Sequence, residues 1–345
     1  MSKRIISVVL VLLLSLSLIA CGGGTTPTTA GQPGDTKTAE TKAEAPAAGS
    51  VVLKVYGAWP ENNSNLIDYK KLVEKVKAKS NGSLVIEWGG GPEAIPSYQL
   101  VEALKNGVVD IAWTAHTYNV SHIPLLEGVK LLKADVLRKN GGFEYIDKLY
   151  QDTLGAHYLG ALCPELPYNL YTKDEIKSLD DFKGKTIRAT PAYQSFVESL
   201  GASATNMAPS EAYQALERGV IQGYGWPGVG IMDFGWQEVS KYMIFPAFYT
   251  VDTALVISGK AWDKLSAEQQ QILKDVGLEI EQEAAEYYKK AVQDERTKLT
   301  DAGMVMIDLP EDIAKVYLEK ANTEGWKALE EKVPDKVEEL RKFLE

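Results

Sequence analysis

The chain has 345 residues, 45% of them hydrophobic and 24% charged, with a formal net charge of −10. That hydrophobic content excludes a chain disordered throughout, and the acidic balance leaves no basic face for nucleic-acid phosphates. The length suits one large or two medium domains able to enclose a cleft, and a single long apolar run, at the N-terminus, excludes a polytopic membrane protein.

In chain order, Lys3 and Arg4 precede an apolar stretch over 5–18, shorter than the ~20 residues that a bilayer span needs. It ends in Leu18-Ile19-Ala20-Cys21, followed by Gly22-Gly23-Gly24. A small residue before a cysteine at the end of an apolar run resembles the lipobox of bacterial lipoproteins. That resemblance implies a cleaved signal peptide over 1–20, lipidation of Cys21 and a place in the periplasm or on the cell surface, anchored to the membrane. Residues 21–50 are mostly Gly, Thr, Pro, Ala, Ser, Lys and Glu without apolar periodicity, which predicts a flexible tether. Cys163 then has no disulfide partner and is expected as a small buried thiol.

The folded part begins near Val51. A strand is predicted over 51–56, a helix over 65–80 that stops at Asn81-Gly82, and a strand over 84–88. After the loop Gly89-Gly90-Gly91-Pro92 come a helix over 98–106, closed by Gly107, and a strand over 108–113. This β-α-β-α-β order implies a parallel sheet with ligands at the carboxyl ends of its strands. Residues 159–162 and 168–172 look extended. Ser178 is a candidate helix cap with Asp181 three residues on. A turn and strand over 184–189, helices over 193–201 and 210–218, and a strand over 219–224 follow.

Residues 104–110 and 216–222 look alike: helix end, glycine, two β-branched residues, polar residue. The likeness points to two similarly built lobes, with a generic helix-glycine-strand junction as the plainer alternative. A strand over 253–258 precedes one long helical pattern over 266–301, which at 1.5 Å per residue spans roughly 50 Å and is longer than one lobe needs. A strand over 304–308 and amphipathic helices close the chain. The expected fold class is therefore α/β, a two-lobed periplasmic-binding-protein-like fold with a long helix across both lobes. The expected lobes are 51–165 plus about 255–295, and 166–254 plus about 296–345.

Four stretches carry a family resemblance. Gly91-Pro92-Glu93-Ala94-Ile95-Pro96 leads into the segment 102–110; Leu179-Asp180-Asp181-Phe182-Lys183-Gly184-Lys185-Thr186-Ile187-Arg188 is the second. Pro209-Ser210-Glu211-Ala212-Tyr213 leads into Arg218-Gly219-Val220-Ile221-Gln222-Gly223, and Ser258-Gly259-Lys260-Ala261-Trp262 opens the long helix. In this order they resemble the DctP-type solute-binding proteins of tripartite ATP-independent periplasmic (TRAP) transporters. The resemblance implies two lobes that close on an organic carboxylate and deliver it to a sodium-driven permease with small and large membrane subunits. It implies no enzymatic activity and no cofactor.

Arg188 matches the family arginine that holds the ligand carboxylate, a task for which a planar guanidinium offers two parallel N–H donors. Tyr168, with Asn169 beside it, stands where many members carry a second arginine, which disfavours a dianionic ligand. Trp226 precedes Pro227 where many members have asparagine. Gly225 lacks the acid of a keto-acid subset, which argues against that subset's metal site. Trp59, Trp113, Tyr118 and Tyr249 lie near strand ends; each alone is more often core, and together they read as an apolar sleeve around a carboxylate. The expected ligand is an organic monocarboxylate with an apolar or aromatic body. His116, His122 and His157 lack metal-ligand spacing, and Gly228-Val229-Gly230 is too short for a nucleotide loop. The alternative is a sensory binding protein that presents its ligand to a membrane receptor kinase.

Overall fold

The computed structural model describes residues 49–64, 67–164, 166–251 and 253–343. The expected signal peptide, Cys21 and nearly all of the expected tether lie outside them. Eleven strands are found among the described residues: β1 (Val51–Gly57), β2 (Leu84–Gly90), β3 (Ile111–Ala115), β4 (His157–Gly160), β5 (Pro167–Thr172), β6 (Thr186–Ala189), β7 (Ser203–Asn206), β8 (Gly223–Pro227), β9 (Tyr242–Thr250), β10 (Thr253–Ile257) and β11 (Val305–Asp308). The helices are α1 (Ile67–Lys79), α2 (Leu100–Lys105), α3 (Ala134–Asn140), α4 (Gly142–Leu154), α5 (Gln194–Ser199), α6 (Pro209–Glu217), α7 (Gly259–Trp262), α8 (Ala267–Asp301), α9 (Glu311–Lys332) and α10 (Val337–Arg341).

The strands form two sheets, ordered β2-β1-β3-β10-β4 and β11-β9-β5-β8-β6-β7. In the first, β1 runs parallel to β2 and β3, and β10 is antiparallel to β3 and β4. In the second, β6 runs parallel to β7 and β8, while β5 is antiparallel to β8 and β9. Each sheet is the heart of one lobe, so the two-lobed α/β fold expected from the sequence is what the chain adopts.

The look-alike segments fold alike, and the reason is local chemistry. Gly107 and Gly219 take left-handed φ of +66° and +72°. Each closes a helix by the same pair of bonds: Gly107 N to Leu104 O and Val108 N to Ala103 O, against Gly219 N to Leu216 O and Val220 N to Ala215 O. The polar residue that follows serves the neighbouring strand in both lobes. Asp110 Oδ2 accepts from Lys54 N at 3.0 Å, and Gln222 Oε1 accepts from Thr186 N at 2.8 Å. Because residues 108 and 109 complete the helix cap, β3 starts at Ile111, three residues later than the β-branched pattern predicts.

The long helix is α8, 35 residues, opened by a reciprocal cap between Ser266 and Gln269. Its first half buries Leu273, Val276 and Ile280 against the first lobe, each burial worth about 1.5–3 kcal/mol. Gly277 lets it lie directly on β4: a Cβ there would stand 2.2 Å from the Leu159 carbonyl oxygen. Its second half reaches the other lobe, where Glu295 Oε1 accepts from Gly230 N at 3.1 Å. Helix α9 starts against α5 and β9 of the second lobe and ends on the 124–131 turn of the first, where α10 also rests. The C-terminal segment therefore touches both lobes and is not confined to the second.

Two strands escape the sequence pattern. β7 is a four-residue edge with no buried residue. β9 is an apolar run interrupted at Pro246, and its pairing with β5 jumps from Tyr249 to Ile244, leaving residues 245–248 as a bulged insert.

Candidate functional site

Arg188 is the third residue of β6, in register with Thr205 of β7 and Tyr224 of β8, all three strands being parallel. It sits at the carboxyl end of that parallel block, where open α/β sheets bind ligands. Its side chain is fully buried. Nε donates to Met207 O at 3.0 Å, and Nη1 donates to the Tyr193 hydroxyl at 3.0 Å and to Gly225 O at 3.2 Å. Nη2 is buried and has no hydrogen-bond partner. Among the described residues no carboxylate forms an ion pair with it.

Burial works against the guanidinium charge, and the hydroxyls of Tyr193, Tyr118, Tyr98 and Tyr168 facing it more than offset that, so its pKa is raised and the group stays protonated. Burial in turn pushes the Tyr118 phenol well above its usual range, with Arg188 pulling the other way, so Tyr118 remains an O–H donor. A desolvated cation with an idle N–H, ringed by phenols and lacking an anion, is costly to keep unless an anion completes it.

The surrounding aromatics come from both lobes. Tyr118, in the 116–119 turn after β3, lies with its ring 4.6 Å from Tyr98 and 5.9 Å from Trp59. From the other lobe, the Trp226 ring lies 5.5 Å from the Arg188 guanidinium and packs edge-on against Phe234 and Trp236. Tyr168 packs at a tilt against Tyr193, the ring centres 5.4 Å apart. Arg188, Trp226, Tyr118, Trp59 and Tyr168 are thus brought together by the fold.

Three other predicted residues are placed differently. Asn169 is fully buried and its Nδ2 donates to Ile244 O at 2.8 Å, at the point where the β5–β9 register shifts; its amide mends the sheet. Tyr249 turns away onto α9, its hydroxyl donating to Ala321 O at 2.5 Å. Trp113 is not at a strand end but in the middle of β3, wholly buried opposite Gly57 and Leu255, with its indole N–H unsatisfied.

Sequence reasoning missed Tyr193 and Tyr98. Tyr193 fixes the arginine: its hydroxyl accepts from Nη1 and donates to Gly225 O at 2.8 Å. The absent acid at Gly225 has a steric reason, because a Cβ there would stand 2.5 Å from the Tyr193 ring. The sequence showed Gly225 as a departure from the family pattern, which was the available signal for a ring packed on that backbone.

The lobes are closed over this group. Tyr98 donates to Asn206 Oδ1 at 2.8 Å, and Lys130 of the first lobe donates to the Ala192 carbonyl beside Tyr193. Asp233 clasps the opposite lobe through Ser64 N (2.6 Å), Ser64 Oγ (3.0 Å) and Asn63 Nδ2 (3.2 Å). The Gly228-Val229-Gly230 segment ties clasp to site, since Trp226 Nε1 donates to Val229 O at 3.1 Å. Of the histidines, His116 pairs with the Tyr150 hydroxyl and burial drops its pKa to about 3, while His122 pairs with Glu102 and His157 stacks on Trp262. Cys163 is buried, its thiol donating to the Tyr288 hydroxyl.

Two α/β lobes joined over a buried arginine at their strand ends are the arrangement of a solute-binding protein. Residues 56–332 match the family described as bacterial extracellular solute-binding protein, family 7 (DctP), and the chain belongs to it. It is 23% identical over 270 residues, 74% of this chain and 73% of the relative, to a monocarboxylate 2-oxoacid-binding periplasmic protein of Nostoc sp.. Its fold matches, at TM-score 0.79 and 18% identity over 85% of this chain and 97% of the other, a TRAP periplasmic solute-binding protein from Desulfovibrio salexigens with bound orotic acid. A second match, at TM-score 0.73 and 21% identity over 84% and 98%, is one from Roseobacter denitrificans with bound L-galactonate. No helix among the described residues is long and apolar enough to cross a membrane.

Proposed function

We propose that this TRAP solute-binding protein captures an organic monocarboxylate, without a metal ion, and hands it to a sodium-driven permease of small and large membrane subunits. The observation that carries this reading is the buried Nη2 of Arg188, an unspent donor on a guanidinium with no protein anion. A ligand carboxylate fits that vacancy of charge, and the neutral phenols of Tyr118 and Tyr168 supply further donors around it. The Nostoc relative, named for monocarboxylate 2-oxoacids, and the orotate- and galactonate-bound neighbours agree with a carboxylate class. Tyr193 fills the space beside Gly225, so this chain has no acid at the position that the keto-acid subset uses with its metal.

Mass spectrometry of the compound released when freshly purified protein is denatured tests the reading. It is expected to yield a monocarboxylic acid; a neutral sugar or a dianion, retained equally by Arg188→Ala, would sink it. The lipobox reading adds that Cys21 carries the membrane anchor. Cells fed labelled palmitate are expected to label the wild-type chain and not Cys21→Ser, and equal labelling would refute the anchor.

A further inference from the structure

One ring away from the Arg188 group the structure holds a space of about 340 Å³, lined among others by Trp59, Pro60, Pro92, Pro209, Ser210 and Phe234. That volume lies within the ~300–1,000 Å³ of small-molecule sites. Both lobes contribute to it, and a line of aromatic rings leads to it along each. On the first lobe, Tyr118 beside the guanidinium packs on Trp59, whose ring is also a wall of this space. On the second, Trp226 beside the guanidinium packs 5.4 Å from Phe234, which is the facing wall. A buried cation thus stands one aromatic ring away, on each lobe, from an apolar, proline-rich vestibule.

The rim of the vestibule carries Glu93, whose Oε1 accepts from Gly91 N at 2.6 Å and is held in place by it. A fixed carboxylate at the outer end repels a second negative charge on a ligand. The guanidinium at one end and the apolar walls at the other therefore specify opposite ends of a single molecule.

We infer that the ligand is an extended monocarboxylate: its carboxylate lies on Arg188 and an uncharged alkyl or aryl extension runs between Trp59 and Phe234 into the vestibule. This rests on the carboxylate reading above and goes beyond it by assigning the length and polarity of the rest of the molecule. Apolar walls reward each buried methylene by about fourfold in affinity, the equivalent of ~0.8 kcal/mol per CH₂.

Calorimetric titration with butanoate, hexanoate, octanoate and octanedioate tests it. Affinity is expected to rise at least tenfold from butanoate to octanoate, and octanedioate, with its second charge at the Glu93 rim, is expected to bind at least tenfold more weakly than octanoate. Ser210→Trp, which fills the vestibule, is expected to lower the octanoate-to-butanoate ratio. The wild-type series stands by itself if that variant does not fold. Equal binding of butanoate and octanoate, with both lost in Arg188→Ala, would overturn the vestibule assignment and leave the carboxylate reading intact. If none of the acids binds, or Arg188→Ala binds them as wild type does, the carboxylate reading falls and the vestibule assignment with it.

Discussion

Arg188→Ala is expected to weaken binding of the cognate acid by about 30-fold to several thousandfold, the 2–5 kcal/mol typical of removing one partner of a buried, hydrogen-bonded charge pair. The size follows from the surroundings. The guanidinium is fully buried, so water screens its attraction for a carboxylate little, and a truncated site would leave the ligand's charge desolvated and unpaired. Arg188→Lys is expected to lose less, because it keeps the charge and loses the planar pair of donors.

The same variant separates ligand binding from folding. In the unliganded protein Arg188 has no anionic partner, so deleting it removes a desolvated charge along with its bonds to Met207 O, Gly225 O and Tyr193. Those two changes oppose each other. The melting temperature of the ligand-free protein is therefore expected to move little, while the rise on adding ligand, RT ln(1 + [L]/Kd), disappears. A variant that melts many degrees lower and still gains stability from the ligand would assign Arg188 to the scaffold.

Gly225→Ala is the second large effect. The added Cβ would stand 2.5 Å from the Tyr193 ring, which is wedged against Tyr168 and Phe248 and bonded to Gly225 O. The ring has to leave, at the ~1–3 kcal/mol of an overpacked core, and Arg188 loses its Nη1 partner. A fall in melting temperature and a loss of affinity of tenfold or more are expected together. Because both trace to one ring, Tyr193→Ala and Gly225→Ala are expected to be strongly non-additive, the double variant losing little more than the worse single one. Fully additive losses in affinity would show that Gly225 acts by another route.

Tyr193 also marks how far the sequence can be read. The element order, the long α8 and the paired helix-glycine-strand junctions follow from spacing, capping and turn chemistry, all local properties. Arg188 is legible because its residue type, its place on a strand and its surrounding motif coincide. Tyr98 and Tyr193 lie in short turns about ninety residues apart, and only the meeting of the lobes sets both around one guanidinium. Asn169 and Tyr249 show the converse. Both are next to residues that matter in sequence, but a register shift between β5 and β9 commits one to the Ile244 carbonyl and the other to α9. Register between distant strands is a tertiary property, and an edge such as β7 or a strand interrupted by Pro246 announces it poorly.

The Asp233 clasp and the Val229 link give the cleft a physical reason to respond to its contents. Trp226 is bonded to the same loop that grips Asn63 and Ser64 across the lobes. Ligand contact with Trp226 and formation of the clasp are therefore expected to be coupled. The most direct test of the whole account is a crystal structure with the acid that copurifies with the protein. The account predicts a carboxylate oxygen at a charge-assisted distance of about 2.7–2.9 Å from Nη2 of Arg188, with the lobes closed around it. A ligand whose carboxylate lies elsewhere in the cleft, with Nη2 still unpaired, would contradict it.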